Sequence, residues 1–491
     1  MSANRHTLRT GRALTATALL AGACSGAAGT AAGQAERSGC VHVISEDTGK
    51  KGDACLPLAP AQDRVDLTEP RFTHSTRITN PLHPTTDVDQ VVMGGQVDGK
   101  PFRTEVSLLP GTKKITYDGR SVETLVSQYV AFSDGRIQEV ALDWYAQADD
   151  TSVWYFGEDV FNYKDGVVAD TEGTWQAGRD HAPPAMIMPA QPEKGDVYRP
   201  ENLPEKVFEE VTVRTVDQSV DGPYGEVEGA MTVRELHMDG STEEKVFAPG
   251  YGEFSTGTEG GDLEAVALAV PTDAKPGPLP DRLTALERAA VSVHESPGDA
   301  TVREVRAAWD AYRASDAVAE LLERQIERDL VALEKAGDGA PATGPALRVA
   351  QNVTDLQLRY EPVPVVDHDR LALWARQLTI DAQIANGGAV AGDVTALGLV
   401  WERARHEALN TVPVDTDLRK LRAAADREDL AEIESLAPGL AEHIAGLKGL
   451  QLHAWRKSAG TRPGGRARRA AVRLLPGRRR RRPIRQVEAS P

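Results

Sequence analysis

The first half of the chain alternates apolar and polar positions with a period of two. The runs FRTEVSLL from Phe102, VETLVSQYVAF from Val122 and RIQEVALDWY from Arg136 show it, and similar runs continue to about Val270. Alternation sends successive side chains to opposite faces of a strand. Asp-Gly pairs, which suit hairpin turns, separate the runs at 98, 118, 134, 165, 221 and 239. The pattern predicts an antiparallel β meander of barrel-like form, and a two-layer sandwich fits the same periodicity.

Residues 142–158, LDWYAQADDTSVWYFGE, concentrate large aromatic side chains in one predicted hairpin. Both faces of this hairpin carry apolar bulk, so something should cover each face. Two interpretations remain open. The aromatics form a core, or they line a ligand pocket together with a polar group. The candidate ligand wall consists of Asp143, Trp144, Trp154 and Tyr155.

Beyond residues 274–280, AKPGPLP, the apolar period changes to that of an amphipathic helix. Five apolar stripes follow, starting at Val302, Val318, Val349, Leu371 and Val390. Regular amphipathic helices joined by short polar loops predict a bundle. The fold class is therefore α+β, with an N-terminal β-rich domain at 70–273 and a C-terminal helical bundle at 281–455.

The N-terminal residues have the pattern of an export signal. Basic residues precede the short apolar run ALTATALLAGA, and the sequence before Cys24 looks like a lipobox, whose cysteine receives a lipid. We expect a lipoprotein signal at 1–24, a flexible tether at 25–69 and a location on the outer face of the cell membrane; an ordinary secretory signal is the alternative. Export also predicts a disulfide between the two remaining cysteines, Cys40 and Cys55.

Charge is distributed unevenly along the chain. Residues 456–491 hold thirteen Lys and Arg against one Glu, whereas the whole chain has a net charge of −17, so the preceding part carries about −29. Such an acidic body argues against nucleic acid as a partner. The basic tail at 456–491 is expected to be a solvated extension, with anionic envelope polymers or lipid headgroups as possible partners.

Signatures of common enzymes are missing, including HExxH, GxSxG, the Walker loop and a strand-linked GxGxxG. No cofactor is predicted. One metal-site hypothesis lies in the bundle, where Glu402 and His406 are one helical turn apart and Asp381 and Asp393 could face them from neighbouring helices. Surface positions and pairing with arginine explain the same residues equally simply.

Five segments of the β-rich half stand out: DWYAQ (143–147), VWYFGED (153–159), EGTWQAG (172–178), MIMPAQPEKGDVY (186–198) and VFAPGYGEF (246–254). Together they resemble a domain that recurs in bacterial secreted proteins and lipoproteins of unassigned activity. The resemblance covers residues 70–270 and departs at Asp180, His181, Ala185, Arg199 and Pro200. It implies a domain and an extracytoplasmic compartment, and no mechanism.

Two hypotheses about function follow. The first is a lipid-anchored surface protein that binds a ligand or an envelope component without catalysis. The second is a secreted hydrolase or a metal-binding protein, with its site at the mouth of the β domain or in the bundle. A barrel filled by side chains would favour the first, and a pocket with convergent ionisable groups would favour the second.

Overall fold

The computed structural model describes residues 40–45, 48–257, 261–337 and 340–447. Cys24, the signal segment and the basic tail lie outside these residues. A small N-terminal hairpin, a fourteen-stranded antiparallel sheet and a layer of helices follow one another along the chain. This order confirms the predicted fold class, a β meander followed by a helical region.

The first hairpin is formed by β1 (His42–Ile44) and β2 (Lys51–Cys55). The predicted disulfide joins Cys40 to Cys55 at its open end. The amide of Ile44 donates to the carbonyl of Met238 at 2.9 Å. From Cys40 onward, the segment expected to be a tether therefore packs against the large sheet.

The large sheet contains β3 to β16, and all its pairings are antiparallel. Its strands are β3 (Gln90–Val97), β4 (Lys100–Tyr117), β5 (Arg120–Ser133), β6 (Arg136–Gln147), β7 (Val153–Lys164), β8 (Val167–Asp170), β9 (Trp175–Gln176), β10 (Ala185–Met188), β11 (Val197–Leu203), β12 (Val207–Gly222), β13 (Gly225–His237), β14 (Thr242–Ala248), β15 (Gly252–Gly257) and β16 (Leu263–Val270).

The six Asp-Gly pairs lie in turns or at strand ends, as predicted. Four of them, which begin at Asp98, Asp118, Asp134 and Asp165, have positive φ at both residues. This backbone conformation matches the twist of the flanking strands. The Asp165 turn also requires its glycine for space, because a Cβ on Gly166 would lie 1.8 Å from the carbonyl oxygen of Gly388.

The sheet curls over itself but does not close into a barrel. Its hydrogen-bonded path runs from β10 through β7, β6, β5, β4, β3, β16, β15, β14, β13 and β12 to β11. One apolar cluster contains Tyr155 and Met186 from one end of this path together with Tyr198 and Val211 from the other. The two ends therefore face each other across a concave interior, and their edges are not paired as neighbouring strands.

Among the described residues, eight α-helices form a layer on the outer face of the sheet. They are α1 (Asp281–Glu295), α2 (Asp299–Arg313), α3 (Glu320–Ala336), α4 (Ala340–Gln357), α5 (Val363–Gln383), α6 (Gly387–Ala404), α7 (Val412–Ala425) and α8 (Leu430–Ala445). Of these, α3 and α6 pack directly against the strands. The five predicted stripes lie on α2 to α6. Helices and sheet share core clusters; in one of them Phe132 and Val140 from the sheet join Trp374 and Leu397 from the helices.

A buried ionic network crosses the interface between sheet and helices. Arg103 on β4 binds Asp355 on α4 at 2.6 Å, and Arg403 on α6 binds Glu105 on β4 at 2.7 Å. Burial alone would raise the pKa of Glu105, but the surrounding arginines outweigh this and lower it. The network has equal numbers of opposite charges and consists of Arg103, Glu105, Asp355, Asp367, Arg370 and Arg403.

Candidate functional site

A cavity of about 400 Å³ occupies the concave interior of the curled sheet. Strands from both ends of the hydrogen-bonded path line it. Its wall has an apolar part and an acidic part. The apolar part includes Val88, Val91, Met93, Val106, Leu108, Ile187, Val211, Val233 and Phe247. A second cavity of about 330 Å³ adjoins it and shares Tyr129, Glu139, Glu158, Glu209, Thr256 and Glu264 with it.

Seven carboxyl groups line the first cavity, whereas the basic side chains in its wall are Lys245 and His83. Burial lowers the pKa of His83 to about 4, so this imidazole contributes no charge at neutral pH. The acidic side chains therefore outnumber the cations of the wall by a wide margin. They are Glu139, Asp143, Glu158, Glu209, Glu235, Glu253 and Glu264.

Strand alternation and register explain why acids meet in the interior. On β6, Glu139, Ala141, Asp143 and Tyr145 occupy alternate positions and line the cavity. Asp143 pairs in register with Glu158 on β7. Like charges in directly opposed positions destabilise a sheet unless a proton or a cation neutralises them. The pair is therefore a feature that ordinary core packing does not explain.

Burial favours the protonated form of three acids in this wall. Burial raises the pKa of Asp143 to about 7, although the hydroxyl of Tyr155 donates a hydrogen bond to its Oδ1 at 2.7 Å. Burial also raises the pKa of Glu264 to about 8, and that of Glu158 well above its ordinary value. Among the described residues, no basic side chain forms a salt bridge with any of these three acids.

The far end of the cavity has compensated charges. Lys245 Nζ on β14 lies 2.6 Å from Glu235 Oε2 on β13 and 3.5 Å from Glu243 Oε1. Burial would lower the pKa of His237, but the carboxylates of Glu209 and Glu243 outweigh this and raise it to about 11. This end of the site is thus a compact cluster of acidic and basic side chains.

Tyr198 on β11 contributes an unsatisfied polar atom to the same cavity. The residue is only 1% exposed, and its hydroxyl has no hydrogen-bond partner among the described residues. Burial raises the pKa of the hydroxyl, and Glu235 adds to this effect. A buried hydroxyl without a partner costs roughly 1–3 kcal/mol. A ligand or an ordered water in the cavity would remove this cost.

The structure separates the four residues of the predicted ligand wall. Asp143 lines the cavity, and the hydroxyl of Tyr155 on β7 donates a hydrogen bond to its carboxyl group. Trp144 points into the apolar core on the other face, with Lys113 Nζ 3.1 Å above its ring. Trp154 is also buried and donates from Nε1 to Ser152 Oγ at 2.8 Å. The positions of the two tryptophans thus favour the interpretation that the hairpin aromatics form a core.

The structure does not bring together the four residues of the metal-site hypothesis for the bundle. Arg136 on β6 lies between Asp381 and Asp393, with Nη1 at 2.5 Å and 3.2 Å from their carboxylates. These acids therefore belong to the interface between sheet and helices. Glu402 and His406 are exposed on α6 and just after it. Among the described residues, the acid and histidine side chains grouped closely enough for a metal ion are Glu209, Glu235 and His237 instead.

Sequence reasoning missed most of the acidic wall, although a signal was present. Glu235 and His237 alternate before the turn at Asp239, and Glu243 and Lys245 alternate after it. Because a hairpin brings such positions to one face, the pattern predicts a charged patch on one side of the sheet. Glu158 and Glu264 follow the same alternation, but nothing local distinguishes them from solvent-facing residues.

No family model matches the chain, and no curated protein sequence matches it. The resemblance to secreted bacterial proteins therefore stays a prediction. Among the described residues, none of the helices combines the length and apolar character that crossing a membrane requires.

Proposed function

We propose that the protein is an extracytoplasmic binding protein whose cavity takes a small organic cation with an apolar body. One observation carries the proposal: the cavity has seven carboxyl groups in its wall and one charged basic side chain, Lys245, at neutral pH. This proposal combines the binding role of the first hypothesis with the ionisable pocket that the second required. Anchoring through lipid at Cys24 remains part of the proposal.

Electrostatics supports a cationic ligand. Asp143, Glu158 and Glu264 lack salt bridges within the described residues, and burial favours their neutral forms. An ammonium group beside them would favour ionisation, because an opposite charge within about 4–6 Å stabilises the charged form. Ligand binding would then release protons from the carboxyl groups. An anionic ligand would be repelled by the carboxylates of the wall and would not favour their ionisation.

The apolar part of the cavity wall supports the proposal that the ligand has an apolar body. Val106, Leu108 and Phe247 are among the side chains that would surround an alkyl or aromatic body. Each methylene removed from water contributes roughly 0.8 kcal/mol to binding. A volume of about 400 Å³ is within the range of cavities that hold small organic molecules.

A charge series tests the proposal. Octylammonium, octanol and octanoate have the same alkyl chain and differ in the charge of the head group. Isothermal titration calorimetry of the purified protein should show octylammonium binding most tightly and octanoate not binding. Glu158→Gln should weaken octylammonium by about tenfold, since one carboxylate partner is lost.

Asp159→Asn provides the matched control. Asp159 follows Glu158 on β7, but its side chain is 41% exposed and lies 3.8 Å from Lys113 Nζ. Its substitution should leave the affinity unchanged. The proposal fails if octanol or octanoate binds as tightly as octylammonium, or if the two variants behave alike.

A further inference from the structure

The inner face of β12, β13 and β14 brings four metal-ligand side chains together by strand register. Glu209 on β12 pairs with His237 on β13, and Glu235 on β13 pairs with Glu243 on β14. Glu235 and His237 are two residues apart and therefore lie on one face of their strand. The four side chains form a square patch on rigid strands. Such a support positions ligands more reliably than a loop does.

The distances within the patch suit a shared ion better than direct hydrogen bonds. His237 Nδ1 lies 3.6 Å from Glu209 Oε1, whereas the other ring nitrogen, Nε2, lies 3.6 Å from Glu243 Oε1, so one ion can bridge only one of these two pairs. A separation of 3.6 Å is too long for a good hydrogen bond. Two ligand atoms at about 2.1 Å from one tetrahedral ion are roughly 3.4 Å apart. One ligand atom from each of Glu209, Glu235 and His237 lies within 4.8 Å of the others.

Ligand chemistry and hydrogen bonding point the same way. The patch holds the carboxyl groups of Glu209, Glu235 and Glu243 beside His237 and Lys245, and carboxyl oxygens and imidazole nitrogens are ligands of divalent ions. Tyr198 adds an independent observation, because the residue is 1% exposed and its hydroxyl lacks a partner among the described residues. Strand register places it in line with Glu235, since Tyr198 pairs with Val211 and Val211 pairs with Glu235. A water molecule on a metal ion would give this hydroxyl its missing hydrogen bond.

We propose that Glu209, Glu235 and His237 hold a first-row divalent metal ion. An imidazole among carboxylates favours Zn²⁺ or a related transition ion over Ca²⁺ and Mg²⁺, which prefer oxygen ligands alone. The ion displaces the proton of His237, as metal ligation requires. The inference goes beyond organic-cation binding and does not rest on it.

Calorimetric titration of the full chain with Zn²⁺ tests the site. Wild-type protein should bind one ion tightly, and His237→Gln should weaken binding by about tenfold or more. Co²⁺ should give a visible absorption band in the wild type that His237→Gln abolishes. Should His237→Gln fail to fold, Glu209→Gln provides the same comparison at a side chain that is 26% exposed.

His443→Gln is the matched control, since His443 also contacts a carboxylate, that of Asp417 at 2.5 Å, but lies in the helical layer. It should leave Zn²⁺ binding unchanged. Equal affinity in wild type and His237→Gln, or no binding by the wild type, overturns the inference. Octylammonium binding, measured on the same proteins, separates the two proposals, because Glu158→Gln should affect octylammonium and spare Zn²⁺. Each proposal can therefore fail while the other holds.

Discussion

Replacing Arg403 by methionine should destabilise the sheet and the helices together. Arg403 donates two hydrogen bonds to Asp367, one to Glu105 and one to Gln128, all buried at the interface. Methionine fills similar volume but leaves three buried acids facing two arginines. Breaking a buried ion pair in this way costs roughly 3–5 kcal/mol, because an uncompensated charge stays in the interior.

The expected thermal shift follows from the size of the cooperative unit. Unfolding entropy is about 2.1 cal/mol/K per residue, so a unit of roughly 400 residues has about 0.8 kcal/mol/K. A loss of roughly 3–5 kcal/mol of unfolding free energy then lowers the midpoint of thermal unfolding by about 4–6 °C. Differential scanning calorimetry should show one transition in wild type and variant, since the shared clusters couple the two layers.

Arg405→Met is the control for this prediction. Arg405 lies one residue beyond α6, is 46% exposed and contacts Asp415 at 3.4 Å. Its loss should change stability by less than about 1 kcal/mol. Two separate transitions, with only the helical one shifted by Arg403→Met, would refute the coupling of the sheet and the helices.

Three further predictions concern the core, the cavity and the anchor. Trp144→Ala should destabilise the protein by about 3–5 kcal/mol in chemical denaturation, because the indole is 2% exposed; an unchanged midpoint would contradict the core assignment. Asp143 and Glu264 have raised pKa values of about 7 and 8, so the native state holds extra protons, and stability should fall as pH rises from about 5 to 8.5. Asp143→Asn should reduce that slope, and an equal slope in both proteins would count against the raised pKa. Cys24→Ser should move the protein from the detergent phase to the aqueous phase, and equal partitioning would remove the lipid anchor.

Local patterns in the sequence determined the elements and their class. Period-two alternation and the Asp-Gly pairs sufficed for the meander because strand faces and turn dihedrals are properties of a few adjacent residues. The stripes starting at Val302 and Val390 located helices for the same reason. The disulfide between Cys40 and Cys55 followed from the even number of remaining cysteines together with the predicted export.

Only the tertiary structure decided where the polar groups lie. Asp381 looked like a metal ligand, but its partner Arg136 is 245 residues away in sequence and reaches it only after the helices cover the sheet. Glu158 and Glu264 look like solvent-facing positions in their strands, because alternation does not show which face is concave. Curling of the sheet turned that face inward and gathered its acids, so long-range packing, and no local pattern, created the candidate site.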